Sequence, residues 1–352
     1  MNDLSPYVKI GNIPIGDGFP TALMAEIGTF FNQDIELATS FLKSIISSGA
    51  NIFKTEILHD PDICLKENIN AKYNYSGGTK NENYRELIER KVVSLKKYEE
   101  LFSICRDYEF PFVCSVYDTI GIDFVVDMGG SGIKFARDNV SNIGLLRYAA
   151  KTDLPIIIDA GNLYLSEIAQ ALEVVNEYNS NNVIICHHPA ANPAPSNVHN
   201  LKVINSYKRI FKVPVGLSCH YRGDEIMYAA VAVGANIIEK GVVDNPDKIE
   251  QDLVSALKID DLPKVVSKIR NCYEAMGKDT WDVLEPRDKI SWKGMVAKTN
   301  ILEGDEFKLQ NIGFAFPPKG IPANHWDVID GKCANRNIKK GEILKWEYID
   351  FT

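Results

Sequence analysis

Short apolar segments rich in β-branched residues alternate with longer amphipathic segments between about residue 20 and residue 276. Eight of the apolar segments read as strands, at 23–28, 51–57, 111–117, 132–137, 155–161, 182–188, 214–220 and 235–241. Between them, apolar residues recur at helical spacing, as at 34–49, 94–108, 166–178 and 224–234. The pattern predicts a chain of alternating strands and helices.

The predicted strands are almost continuously apolar, as is typical of parallel strands that are buried on both faces. Eight strand–helix units are the number that closes a (β/α)8 (TIM) barrel, so we predict an α/β fold of this type. An open doubly wound sheet is the structural alternative.

The connection between the second predicted strand and the next helix, at 58–91, is far longer than an ordinary strand-to-helix loop of roughly 2–6 residues. In a barrel it lies on the side where active sites form. We interpret it as a lid or a wall of the substrate site, and the alternative is a flexible surface insertion.

The pattern changes after Gly277. We assign residues 1–276 to the barrel domain, 277–289 to a linker and 290–352 to a small β-rich domain. A weak internal repeat aligns 295–312 with 332–349, matching Ala297 with Ala334, Ile301 with Ile338, Gly304 with Gly341 and Ile312 with Ile349. Two related halves joined by Gly turns predict a compact pseudo-symmetric β domain.

Composition narrows the possible partners. The 352 residues carry a formal net charge of -8, which argues against binding to nucleic acid or to an anionic membrane but allows a local basic pocket for a small anion. The N-terminus lacks a signal-peptide pattern, and no segment approaches the roughly 18 apolar residues of a membrane span. We therefore expect a cytoplasmic protein.

The seven cysteines are odd in number and scattered, and none form a CxxC motif. This usage favours reduced core thiols over a disulfide framework or a structural zinc site.

In a parallel barrel the active site lies at the carboxyl ends of the strands, so the polar residue that closes each apolar segment is a candidate. These candidates are Glu26, Lys54, Ser115, Lys134, Arg137, Asp159, His187, His188, Ser218, His220, Glu239 and Lys240. Barrel geometry places all of these strand ends at one mouth.

Two of the candidates, His187 and His220, end adjacent strands and could chelate one divalent metal through neutral imidazole nitrogens. Such a site leaves coordination positions for water and substrate oxygens. The alternative is a pair of core or hydrogen-bonding histidines. His188 points to the opposite side of the strand from His187, which is compatible with its facing away from the mouth.

Lys54 and Lys134 place two cations at strand ends of an acidic protein, as binding of a phosphorylated or carboxylated small substrate requires. Either lysine could instead form a structural ion pair with Glu26, Glu56 or Glu239. Glu26 lies at the same mouth and could act as a general base or bind a sugar hydroxyl.

At these residues the sequence resembles the sialic acid synthase family, which includes legionaminic and pseudaminic acid synthases and spore-coat polysaccharide proteins. The similar segments are AEIGTFFNQDIELA, SGANIFKTEI, IKFARDNVSNIGLLRYAAKTDLPIIIDAGN and VGLSCHYRGDEIMYAAVAVGANIIEK. The C-terminal segment looks like the antifreeze-like (SAF) domain of these synthases, so the resemblance covers nearly the whole chain.

The resemblance implies condensation of phosphoenolpyruvate with an N-acylated hexosamine or related aldose to give a nonulosonic acid, with Mn2+ or Mg2+ as cofactor. It also implies a domain-swapped homodimer in which residues from about 290 onward reach over the partner's barrel mouth. His187 and His220 match the metal histidines. The catalytic candidates are Glu26, Lys54, Lys134 and Glu239, and the substrate-binding candidates are Lys54, Ser115, Lys134, Arg137, Asp159, Ser218 and Lys240.

Several pocket positions depart from the family pattern. Arg137 and Asp159 replace small hydroxyl residues, Cys219 replaces an aspartate and Gly241 replaces a histidine. A new carboxylate beside a phosphate opposes its binding, so we predict that Asp159 forms a salt bridge with Arg137 across the mouth.

Two other functions stay open. One is a metal-dependent aldolase or lyase that does not use phosphoenolpyruvate. The other is a non-catalytic homologue that binds a sugar or regulates a partner synthase.

Overall fold

The computed structural model describes residues 7–179, 182–189, 191–277 and 292–352. The chain forms two compact units, Met1–Gly277 and Lys278–Thr352. Residues 278–289 of the predicted linker lie outside the described residues.

The first unit contains the strands β1 to β13 and the helices α1 to α9. The strands are β1 (Tyr7–Ile10), β2 (Ile13–Gly16), β3 (Ala22–Gly28), β4 (Ile52–Glu56), β5 (Asn70–Tyr75), β6 (Gly78–Asn83), β7 (Phe112–Ser115), β8 (Gly132–Phe135), β9 (Ile156–Asp159), β10 (Val183–His187), β11 (Val215–Cys219), β12 (Ile237–Val243) and β13 (Leu257–Lys258). The helices are α1 (Ile35–Ser48), α2 (Tyr84–Glu89), α3 (Leu95–Asp107), α4 (Thr119–Asp127), α5 (Ile143–Ala150), α6 (Leu165–Tyr178), α7 (Val203–Phe211), α8 (Glu225–Ala232) and α9 (Leu262–Met276).

Within the described ranges, eight parallel strands close into a barrel in the order β3, β4, β7, β8, β9, β10, β11 and β12. Closure is completed where β12 pairs with β3, as in the register of Ile237 with Ala22. The prediction of a (β/α)8 barrel is confirmed, and the open doubly wound sheet is excluded. Each of the eight predicted apolar segments overlaps one of these strands.

The core has two layers. Side chains on the inner face of the barrel, among them Met24, Ile157 and Cys186, pack with Val8 and Ile15 of the β1–β2 hairpin. Since a Cβ at Gly11 between β1 and β2 would lie 3.1 Å from Pro111, just before β7, the hairpin closes the amino-terminal end of the barrel. The second layer lies between the strands and the helices. The opposite, carboxyl-terminal end is left for a site.

The long connection after β4 forms ordered structure. It contains the antiparallel hairpin β5–β6, which we call the arm, followed by α2. Asn74 of the arm donates through Nδ2 to the carbonyl oxygen of Asn192 at 2.9 Å, and Arg90 after α2 pairs with Glu82 and Glu250. The arm is thus fastened to the loops that follow β10 and β12.

The second unit is built on the predicted repeat. Its elements are β14 (Gly294–Ala297), β15 (Ile312–Ala315), α10 (Trp326–Ile329), β16 (Cys333–Ala334) and β17 (Ile349–Asp350). Ala297 pairs with Ile312 just as Ala334 pairs with Ile349, and Ile301 and Ile338 exchange backbone hydrogen bonds of 2.9 and 2.8 Å. The repeat therefore corresponds to two halves related by approximate two-fold symmetry around one apolar core.

Among the described helices, none combines the length and the apolarity needed to cross a bilayer.

Candidate active site

A cavity of about 480 Å³ opens at the carboxyl ends of the barrel strands, within the size range of small-molecule sites. Nine of the candidate residues line it: Glu26, Lys54, Ser115, Lys134, Arg137, Asp159, His188, His220 and Glu239. The arm contributes Lys72, Tyr73 and Asn74 to the wall, and Tyr84, Ile88 and Lys91 follow from α2 and the residues after it. The long connection is therefore part of the wall of the cavity.

The floor of the cavity is a chain of alternating buried charges. Lys54 contacts Glu26, and its Nζ lies 3.2 Å from Oε1 of Glu239. Lys134 contacts the other oxygen of Glu239, and its Nζ lies 3.3 Å from Oδ2 of Asp159. Each charge thus has an opposite neighbour, as buried ionised groups require.

The network fixes the protonation states of its members. Burial alone favours the neutral form of both lysines. Glu239 acts on both of them, with help from Glu26 beside Lys54 and from Asp159 beside Lys134. Together these carboxylates outweigh burial and raise the pKa of both lysines. Burial likewise disfavours the ionised carboxyl of Glu239, but Lys134 and Lys54 outweigh it, so its pKa lies below the usual range. Both lysines are cations and Glu239 is an anion at neutral pH.

Glu26 differs from the other carboxyl groups in the network. Burial is the largest influence and raises the pKa of Glu26 to about 7, against the opposing effect of Lys54. A carboxyl group with this pKa can both accept and release a proton near neutral pH, as a general base or acid must.

Two serine hydroxyls take different places. Ser218 lies beneath the cavity, where its Oγ is 3.2 Å from Nζ of Lys134 and donates to Glu239 at 3.0 Å. Ser115 lines the cavity, and its Oγ is buried without a hydrogen-bond partner among the described residues. Ser115 is therefore placed to bind a ligand, whereas Ser218 supports Lys134.

The structure does not bring His187 and His220 together. His187 ends β10 on the outer face of the barrel, where its Nε2 lies 2.6 Å from the carbonyl oxygen of His199 and its ring packs on Tyr207. His188 enters the cavity instead and stacks on His220, with ring centroids 4.3 Å apart. The assignment of a mouth position to His187 was wrong, because the strand alternation at β10 places Cys186 and His188 inside.

The predicted salt bridge between Arg137 and Asp159 is also wrong. Arg137 lies beyond the end of β8 and pairs with the exposed carboxylate of Asp138, its Nε at 2.8 Å from Oδ1. Asp159 is still within β9, and its carboxylate contacts Lys134 and His188. The two side chains differ in height along the barrel, so each meets another partner.

Lys240 does not reach the mouth either. It follows Glu239 on β12 and points to the opposite face, where its ammonium group is buried and donates to the carbonyl oxygens of Tyr221 and Gly223. Burial lowers the pKa of Lys240. Its role is to hold the turn after β11, and the substrate-binding assignment was wrong.

The outer part of the cavity contains residues that sequence reasoning missed. Glu56 accepts a hydrogen bond of 2.7 Å from the hydroxyl of Tyr117, and Asn192 donates to the half-buried carboxyl of Asp252 at 2.7 Å. Lys91 is 3 % exposed and bonds Thr29. Only Glu56 ends a barrel strand. The others lie in loops, so the search for polar residues at strand ends did not find them.

The histidine pair is the part of the cavity that fits a divalent metal ion. Burial lowers the pKa of His220 well below its usual value, so it stays neutral, and its Nδ1 is buried without a partner among the described residues. His188 uses Nδ1 to contact the carboxylate of Asp159, as metal-binding histidines commonly do with their second nitrogen.

The protein supplies at most two ligands in this arrangement. Across the described ranges, no group of three or more His, Cys, Asp or Glu side chains is arranged to hold a metal ion. The two ring planes are 11° apart, and each nitrogen lone pair lies in its ring plane, so one ring must turn for both to meet one ion. Water and substrate oxygens must complete the coordination.

A closed (β/α)8 barrel with a polar cavity at the carboxyl ends of its strands has the architecture of a barrel enzyme. Residues 41–280 match the NeuB family, and residues 293–349 match the SAF domain. The chain belongs to the NeuB family. The predicted resemblance to sialic acid synthases and the predicted SAF domain are confirmed.

Several relatives of this chain are named as legionaminic acid, pseudaminic acid or N-acetylneuraminate-9-phosphate synthases. The N,N'-diacetyllegionaminic acid synthase of Campylobacter jejuni is 29% identical over 330 residues, which cover 92% of this chain and 99% of that protein. The N-acetylneuraminate-9-phosphate synthase of Mus musculus is 25% identical over 350 residues, covering 96% of this chain and 94% of that one. The crystal structure of the N-acetylneuraminic acid synthetase of Leptospira borgpetersenii, in complex with citrate, superposes with a TM-score of 0.70 at 25% identity, covering 82% of this chain and 95% of that chain.

Proposed function

We propose that this protein condenses phosphoenolpyruvate with an N-acylated hexosamine or a related aldose to form a nonulosonic acid. The observation that carries the proposal is the pair of buried lysines on the cavity floor, Lys54 and Lys134, beside the unpartnered hydroxyl of Ser115. Fixed cations next to a free hydroxyl suit a small substrate with a phosphate and a carboxylate. The names of the relatives support the sugar-acid product.

In this proposal the lysines and Ser115 orient phosphoenolpyruvate so that its enol carbon faces the aldehyde carbon of the acceptor. The C=C electron pair of phosphoenolpyruvate forms the new C–C bond while the aldehyde C=O π bond opens, and the aldehyde oxygen takes up a proton to become a hydroxyl. Water then adds to the electron-poor carbon that bears the phosphate, and cleavage of the C–O bond to phosphate releases phosphate and leaves a ketone. Glu26, whose carboxyl group lies at the cavity floor with a pKa of about 7, takes the proton from that water.

His188 and His220 are the residues that would hold the divalent metal. When bound, Mn2+ or Mg2+ supplies Lewis-acid polarisation of the acceptor's aldehyde oxygen. The two imidazoles leave most coordination positions to water and substrate, as this chemistry needs.

The outer cavity suits the acceptor. Glu56, Asp252, Asn192 and Lys91 offer carboxyl, amide and ammonium groups within one wall, which is the polar lining that hydroxyl and amide groups of a sugar require. The arm forms the other wall.

The test is phosphate release from phosphoenolpyruvate with a panel of N-acylated hexosamines, with and without Mn2+. We expect release that needs both an acceptor and the metal, and that is lost in Lys134→Met but retained in the control Lys9→Met, an exposed lysine of β1. Failure of every acceptor and metal to release phosphate contradicts the proposal and favours a lyase or a non-catalytic homologue.

A further inference from the structure

Asp159 lines the cavity between Lys134 on its floor and the ring of His188. It is 2 % exposed at the end of β9 and has three kinds of partner. Its Oδ1 accepts the backbone N–H of Gly161 at 3.0 Å, its Oδ2 lies 3.3 Å from Nζ of Lys134, and both oxygens lie about 3 Å from Nδ1 of His188, at 3.0 and 2.9 Å.

The contact with His188 determines the tautomer of that ring. The side chain of Asp159 lies 3.3 Å from the ammonium nitrogen of Lys134 and accepts the backbone N–H of Gly161, and both contacts favour its ionised, carboxylate form. A carboxylate can only accept hydrogen bonds, so the proton of a neutral His188 must reside on Nδ1. Nε2 then carries the lone pair.

The position of the His188 ring is fixed from a second side. A Cβ at Gly161 would lie 3.0 Å from Cβ and Cγ of His188, so a larger residue there would push the ring by a few tenths of an ångström. The stacked ring of His220 covers it on another face. The orientation of the His188 ring is therefore set by Asp159 and Gly161, so His220 is the ring that must turn for both histidines to meet one ion.

The contact of Asp159 with Lys134 weakens the attraction of the site for an anionic ligand. Lys134 already contacts the carboxylate of Glu239, and Asp159 adds a second carboxylate. The charges of Lys54 and Lys134 are already matched by the carboxylates of Glu239 and Asp159, so a phosphate or carboxylate meets cations whose charge is compensated before it arrives. Removing Asp159 leaves Lys134 with one carboxylate instead of two.

From these contacts we infer that Asp159 is a positioning residue with opposite effects on the two ligands of the site: it strengthens divalent-metal binding by presenting Nε2 of His188, and it weakens phosphoenolpyruvate binding by occupying Lys134. The inference rests on the proposed function for the identity of the anion.

The experiment compares Asp159→Ser and Asp159→Asn with the wild-type protein in two direct binding titrations. Mn2+ binding is followed by electron paramagnetic resonance of the free ion, and phosphoenolpyruvate binding is followed by calorimetry in the presence of a chelator. Asp123→Asn, an exposed carboxylate on α4 that bonds Tyr148, is the control.

For both variants we expect Mn2+ affinity to fall by about 10- to 100-fold and phosphoenolpyruvate affinity to rise by about tenfold. The control should change neither. Because general damage to the cavity weakens both ligands, opposite signs are not expected from a purely structural role. Loss of both affinities, or no change in either, overturns the inference.

A third readout does not depend on phosphoenolpyruvate. Long-range 15N–1H spectra are recorded on protein labelled with 15N-histidine, which contains six histidines. The signals of His188 are assigned by their loss in His188→Gln. We expect Nδ1 of His188 to be protonated and its Nε2 to carry no proton. The preference should disappear in Asp159→Ser. Protonation of Nε2 in the wild type contradicts the inference, whereas the expected tautomer in a protein that binds no phosphoenolpyruvate contradicts only the proposed function.

Discussion

Glu26 has a raised pKa and contacts Lys54 directly. The raised pKa leads to a prediction about the pH dependence of catalysis. Since its pKa is about 7, the carboxyl group is protonated below that pH and cannot accept a proton from water. We expect kcat to rise with pH through about 7. A pH profile of kcat for the wild-type enzyme measures this rising limb directly.

Glu26→Gln should lower kcat by about 10²- to 10⁴-fold and remove the limb, because a general base typically contributes that factor. Glu177→Gln, an exposed carboxylate on α6, serves as the control and should keep both kcat and the profile. An unchanged limb in Glu26→Gln would falsify the assignment of the base.

Asp159 and Arg137 show where residue-level reading of the sequence reached its limit. The strand-end rule correctly placed both at the cavity. Their pairing depended on how far each lies beyond its strand, and Arg137 follows the last residue of β8 by two positions whereas Asp159 is the last residue of β9. That difference in height is not encoded in residue type or spacing.

At the scale of elements, all eight barrel strands were predictable because buried parallel strands are continuous apolar runs. The same property hides which face of each strand points inward. On β10 every residue from Val183 to His187 is buried, so no polar–apolar alternation distinguished His187 from His188. At β12 the same ambiguity led to the wrong expectation for Lys240.

The arm yields the second prediction. Arg90 joins it to the loop after β12 through hydrogen bonds of 3.0 Å to Glu82 and 3.0 Å to Glu250. Arg90→Ala should raise the KM for the acceptor by about tenfold, with a smaller effect on kcat, because the arm forms the outer wall of the cavity. Steady-state kinetics with Arg147→Ala, a partly exposed arginine on α5 that pairs with Glu177, as the control tests this. Equal KM values in the two variants would contradict the role of the arm.

The symmetric turns of the second unit yield a third prediction. Gly304 and Gly341 both have positive φ, +86° and +83°, and no atom lies within 4 Å of the position that a Cβ would take, so alanine is disfavoured there by backbone conformation alone. Each Gly→Ala change should cost about 1 kcal/mol and lower the Tm of this unit by several degrees. Calorimetry of Gly313→Ala, a strand glycine without positive φ, provides the comparison. Unequal effects at the two turns would argue against equivalent halves.

At the scale of the whole molecule, the homodimer stays a prediction from the family resemblance. Light scattering at micromolar concentration should give twice the mass of one chain. The exchange of second units over partner barrels predicts, in addition, that mixing Glu26→Gln with a variant altered only in the second unit restores part of the activity. A monomer at this concentration contradicts the prediction.

The formation of a C–C bond from phosphoenolpyruvate is the central claim, and one measurement tests it most directly. Phosphoenolpyruvate labelled with 13C at its methylene carbon is incubated with an N-acylated hexosamine, Mn2+ and the protein, and 13C and 31P spectra are followed together. The account predicts that the label moves into a ring methylene of a sugar acid while an equal amount of inorganic phosphate appears, and that Lys134→Met abolishes both changes. Phosphate released with the label ending in pyruvate, or no change in either spectrum with any acceptor, would contradict it.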